Sequence, residues 1–127
     1  MTYTLSVSRS FKATHWMPGG KNEEKMPHQH DYRLQVAIDG VDLGDDGFLM
    51  DVDILRKELD DIIARFPDTK VNDLQELHGL PPSLENFAAA IWTAILARLN
   101  PDGLESMTVT LWESEDTSAS FSQRLRR

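Results

Sequence analysis

The sequence predicts an α+β fold in the order β-β-α-α-β-β. Three observations carry this. Two long N-terminal stretches alternate apolar and polar residues, two central stretches repeat apolar residues at helical spacing, and two shorter C-terminal stretches alternate again. Four strands with two helices covering one face make a two-layer α+β sandwich, and an antiparallel hairpin at each end is its economical connection.

The first strand lies in "YTLSVSRSFKATHW". Tyr3, Leu5, Val7, Phe11, Ala13 and His15 share one parity, opposite Thr4, Ser6, Ser8 and Ser10, and Arg9 alone interrupts the apolar face. "MPGGKNEEKMP" follows as a loop. The second strand is "HQHDYRLQVAID", with His28, His30, Tyr32, Leu34, Val36 and Ile38 on one face, and Gly40 closes it. After the turn-rich "GVDLGDDG" the period changes. Val52, Leu55, Leu59, Ile62 and Phe66 recur as one helical face, with Asp51 as N-cap. "PDTKVNDLQELHGLPP" reads as an irregular connection, long enough to suggest function. A second helix begins behind the cap Ser83, carries Phe87, Ile91, Ile95 and Leu99, and ends at Asn100-Pro101. Met107, Val109, Leu111 and Glu113 share parity in the third strand, and Ala119, Phe121 and Leu125 in the fourth. Such a sheet leaves two edges to be covered, for which self-association is one solution.

Composition narrows the function. At 127 residues the chain is expected to form one domain, 1–127, with a real core. It has no cysteine, so disulfides, thiolate ligands and a thiol nucleophile are excluded, and any metal must be held by His, Asp or Glu. A net charge of −8 disfavours nucleic acid as a partner. No apolar run approaches a membrane span, and the N-terminus lacks the pattern of a signal peptide, so a cytoplasmic protein without membrane contact is expected.

The histidines pose the chemical question. His28 and His30 continue the apolar face of their strand, with Cα atoms roughly 7 Å apart. His15 ends the apolar face of the neighbouring strand. Three imidazoles with an open fourth position are the ligand set of a catalytic zinc site, and hydrogen-bonded polar residues at a sheet end are the alternative. Glu113 ends the core-facing parity of the third strand, where it either meets water or anchors a ligand with adjacent N–H donors. Glu85 suits the positive end of the second helix. Glu23 and Glu24 stand in the loop before His28, within reach for a general base.

In their order, "FKATHW", "HQHDYRLQVAIDG", "DGFLMDVDILRKEL", "VNDL", "PPSLENFA" and "VTLWES" resemble the 6-pyruvoyltetrahydropterin synthase / 6-carboxytetrahydropterin synthase (QueD-like) family, over roughly residues 4 to 122. The resemblance implies a tunnelling fold (T-fold), closed into a barrel by three subunits, with two such trimers usually stacked into a hexamer and active sites between subunits. It implies zinc held by His15, His28 and His30, a reduced pterin anchored through Glu113, and a pocket lined by Ser83 and Glu85. Two departures stand out. Glu24 occupies the position of the family's catalytic cysteine, a substitution associated with cleavage of the dihydroneopterin triphosphate side chain. Pro67 and Asp68 occupy the position of its Asp-His pair, and His78 offers a replacement imidazole from the same connection.

The expected activity is a zinc-dependent lyase acting on the side chain of a pterin-like small molecule, with Glu24, Asp68 and His78 as the proton-transfer residues. The competing expectations are a zinc-containing pterin or purine binder without turnover, and an enzyme with another purine-like substrate.

Overall fold

A computed structural model describes residues 1–20 and 25–125. The predicted order of elements is the observed one. Strands β1 (Tyr3–His15) and β2 (His28–Gly40) form a long hairpin. Helix α1 (Val52–Ile63), two single 3₁₀ turns (Val71–Asp73 and Gln75–Leu77) and helix α2 (Leu84–Leu96) follow, and β3 (Ser106–Trp112) and β4 (Ser118–Arg124) close the fold. The sheet is antiparallel in the order β1-β2-β3-β4.

Strand parity decides what is buried. Val7, Phe11 and Ala13 of β1, Tyr32, Leu34, Val36 and Ile38 of β2, and Met107, Val109 and Leu111 of β3 share one buried face. The helices cover it with Leu55, Leu59 and Ile62 from α1 and Phe87, Ile91 and Ile95 from α2. Helix α2 seats on the C-terminal hairpin, where Trp92 Nε1 donates to the Met107 carbonyl at 2.8 Å and the Trp92 ring meets Phe121 edge-on at 5.5 Å. The opposite face of the sheet is hydroxyl-rich, with Thr108 bonded to Ser122 and Thr110 to Ser120. The parity break at Arg9 has a partner: its Nε reaches Asp60 of α1 at 2.8 Å.

Both helix starts follow their caps. Asp51 Oδ1 accepts from the Asp53 amide at 2.9 Å, and Ser83 Oγ accepts from the Asn86 amide at 3.1 Å. Helix α2 ends before the expected Asn100-Pro101. The amides of Arg98 and Leu99 bond to carbonyls three residues back, which tightens the last turn after Leu96. The residue before a proline is held out of helical geometry, so the turn must unwind ahead of Asn100. Strand β3 stops at Trp112, and the Glu113 amide donates across the hairpin turn to the Thr117 carbonyl at 3.2 Å. The α1–α2 connection is more regular than expected, because Val71, Leu74 and Leu77 are buried and pin its two turns to the core.

Burial ranks the helix residues. Leu59 is fully buried, whereas Ile54 on the same helix is 49% exposed. Leu59→Ala is expected to cost about 2–5 kcal/mol and Ile54→Ala less than about 0.5 kcal/mol, measured by urea denaturation of the two variants beside the parent.

Candidate active site

The three histidines meet where the long hairpin ends. His15 and His28 are the last register pair of β1 and β2, and His30 pairs with Ala13 on the same face. Their rings pack edge-on, with centroids 4.6 to 5.0 Å apart. One ring nitrogen from each lies within 4.8 Å of the others, a spacing one metal ion can bridge. His15 is 7% exposed, and the other two are half-buried.

Hydrogen bonds orient the rings. His28 Nδ1 lies 2.8 Å from the Met26 carbonyl, so that nitrogen carries the proton and donates. Nε2 is then left with its lone pair, the arrangement usual for metal-bound imidazoles. It faces His15 Nε2 at 3.0 Å. Two ring nitrogens at that distance need a proton or a cation between them, and a set of three imidazole nitrogens suits zinc. Below them, the Tyr32 hydroxyl lies 3.5 Å from His15 Nδ1, at the edge of hydrogen-bond range.

Charge and burial act together here. Burial is the main cause that holds the His15 pKa below its ordinary 6.5, and charge on His28 and His30 lowers it further, against a hydrogen bond to the Pro82 backbone. The buried Tyr32 hydroxyl is pushed up, first by desolvation and then by the Glu113 carboxylate. Glu113 is thus close enough to act electrostatically on the floor of the histidine cluster.

A cleft of about 620 Å³ opens over these groups. His15, His28, His30, Ser83, Glu85 and Glu113 line it, and Met17, Pro82 and Leu84 supply its apolar part. Six of the nine residues expected to form a site therefore share one cleft. Ser83 and Glu85 reach it because the cap starts α2 at its rim. Glu113 reaches it because β3 runs out of sheet one residue after Trp112. As a cap, Ser83 uses its oxygen as an acceptor, so its O–H can still donate to a ligand.

The remaining three behave differently. Asp68 and His78 are exposed on the α1–α2 connection and do not line the cleft of their own chain. Buried Val71 and Leu77 anchor the connection and leave these two on its outer side. His78 ends the second 3₁₀ turn with φ 52°, beside Glu76, whose carboxylate is held by Arg65 through bonds of 2.8 and 2.9 Å. Glu24 lies outside the described residues. Sequence reasoning does not single out Tyr32, although its parity with His28 and His30 is the signal that points to it.

Known proteins resemble this chain in sequence and in fold. The family model described as 6-pyruvoyl tetrahydropterin synthase matches residues 4–124. A protein of Archaeoglobus fulgidus, provisionally named a 6-carboxy-5,6,7,8-tetrahydropterin synthase, is 30% identical over 112 residues, which cover 88% of this chain and 89% of that protein. Among solved structures, a Plasmodium vivax 6-pyruvoyltetrahydropterin synthase with a catalytic glutamate replaced by cysteine superposes with a TM-score of 0.76. It is 14% identical, and the match covers 98% of this chain and 99% of that one. The Caenorhabditis elegans 6-pyruvoyl tetrahydropterin synthase gives 0.75 at 18% identity, covering 99% and 97%. The fold is the T-fold of these proteins. Among the described residues, no helix is long and apolar enough to cross a membrane.

The lowered His15 pKa sets a pH dependence. The folded chain resists protonation of this ring, so between about 6.5 and its lower folded value the unfolded state binds more protons. Metal-free protein is expected to lose stability as pH falls from 7 to 5. His15→Phe should flatten that slope in denaturation midpoints measured across the range.

Proposed function

The chain belongs to the 6-pyruvoyl tetrahydropterin synthase family, and from that premise we propose that it is a zinc-dependent lyase acting on the side chain of a reduced pterin of the dihydroneopterin triphosphate type. The observation that carries the reading is the meeting, in one cleft, of three metal-competent imidazoles with the Glu113 carboxylate.

His15, His28 and His30 hold the ion. Bound there, zinc supplies Lewis acidity toward a side-chain oxygen of the substrate. Glu113 accepts from the 2-amino group and the ring N3–H, a two-point contact that sets the orientation of the ring. Ser83 and Glu85 contact the ligand from the start of α2. Glu24 receives the proton released from the side chain. A catalytic glutamate is named for the Plasmodium vivax synthase, so a catalytic carboxylate has a counterpart in a protein of the same fold. An ordinary glutamate, with a pKa of about 4.3, is a weak base. The role therefore requires surroundings that favour its protonated form.

Self-association through the sheet edges completes the proposal. β1 and β4 are edge strands, and Phe48, 66% exposed, lies with Tyr3 along a further groove near the start of β1. In a trimer or hexamer, Asp68 and His78, which do not line the cleft of their own chain, would serve that of a neighbouring copy. A second reading, a pterin or purine binder without turnover, draws on Pro67 and Asp68 at the family's Asp-His position and on the absence of cysteine.

Turnover separates the two. Zinc-loaded protein incubated with dihydroneopterin triphosphate is expected to release a side-chain-cleaved pterin, followed by chromatography. Glu24→Ala should abolish product and keep zinc. Glu113→Ala should weaken ligand binding about 10- to 100-fold, the worth of hydrogen bonds to a charged group. Tight binding with no product from the unaltered protein would establish the second reading instead.

A further inference from the structure

We propose that Asn72 is a positioning residue that holds the end of β1, and with it the metal-binding ring of His15, in place; this rests on the metal reading of the three histidines. Asn72 lies 56 residues from Trp16 in sequence, yet its side chain makes two bonds to that residue's main chain. Oδ1 accepts from the Trp16 amide at 3.0 Å, and Nδ2 donates to the Trp16 carbonyl at 2.9 Å. The carboxamide thus stands in for the peptide group of a missing neighbour strand.

The need for such a clamp follows from the register. His15↔His28 is the last pair of β1 and β2, and the chain leaves the sheet at Trp16. Terminal strand pairs open locally at low cost. Among the three ligands His15 alone comes from β1, so fraying at the end of this strand would take it out of the cluster. The clamp secures the residue immediately beyond it. Its base is firm: Asn72 sits in the turn Val71–Asp73, with Val71 and Leu74 buried on either side. Lys70, next to this turn, places its ammonium 5.5 Å from the centre of the Trp16 ring. Trp16 is therefore held by its main chain and by its ring from one short segment.

Zinc affinity of the purified protein, measured by competition with a chromophoric chelator, tests this. Asn72→Ala is expected to weaken zinc binding about 10- to 100-fold, the usual consequence of losing a group that orients a ligand. In metal-free protein the Trp16 amide should lose its protection from hydrogen exchange. Asn72→Asp keeps the acceptor but sets a carboxylate oxygen against the Trp16 carbonyl, so a loss at least as large is expected; should Asn72→Ala not fold, this variant decides. Arg65→Met removes the bond to Glu76 on the same connection without touching Trp16, and should lower stability while leaving zinc affinity unchanged. Parent-like zinc affinity in both Asn72 variants, or an equal loss in Arg65→Met, overturns the clamp. Absence of zinc binding by the unaltered protein overturns the metal reading as well.

Discussion

The register between β1 and β2 is the constraint on which the rest of the structure depends. Thirteen residue pairs run from Tyr3↔Gly40 to His15↔His28. Side chains alternate with a period of two, so a slip of one residue would turn His15 to the wet face and bury Lys12 and Thr14 in its place. The register is held far from the chemistry, by Val7 against Val36 and Phe11 against Tyr32 on the buried face. The hydrophobic pattern of a hairpin on the order of 40 Å long therefore determines where three imidazoles meet.

That placement sets favourable packing against unfavourable charge. The floor of the cluster is aromatic: Phe11 stacks on Tyr32 and Phe66 at 5.4 and 5.0 Å, and Phe87 meets both edge-on. Such a floor is rigid and gives little stabilisation to a charged imidazole, and the proximity of three rings opposes multiple protonation. A cation shared among them relieves the opposition of their lone pairs. Strand ends open locally at low cost, so a cation bound here would stabilise the sheet at an end otherwise free to fray. The start of α2 and the exit of β3 bring polar groups to the same end, so the cleft is composed from four elements that each terminate there.

Much of this is legible in the sequence because it is periodic or local. Alternation alone places His15, His28 and His30 on the core face, and the caps Asp51 and Ser83 locate both helix starts. Arg9 is legible only as an anomaly: its partner Asp60 is 51 residues away, and nothing local names it. Helix α2 ends earlier than Asn100-Pro101 suggests, because the tightening of its last turn depends on geometry that composition does not reveal. Asp68 is readable from its place in a motif and His78 from its place in the same connection, but which way that connection faces is decided by the burial of Val71, Leu74 and Leu77.

The order of elements, the face each strand turns inward, and the exclusion of thiolate chemistry can be read from residue pattern, because they follow from a period of two, a period near 3.6 and the absence of one residue type. The packed fold is what brings the carboxylate after β3 into a cleft with the imidazoles, pairs Arg9 with Asp60, and sets Asn72 against the chain beyond His15. Those facts join residues tens of positions apart, and such pairings are set by how the layers pack, which no local pattern encodes.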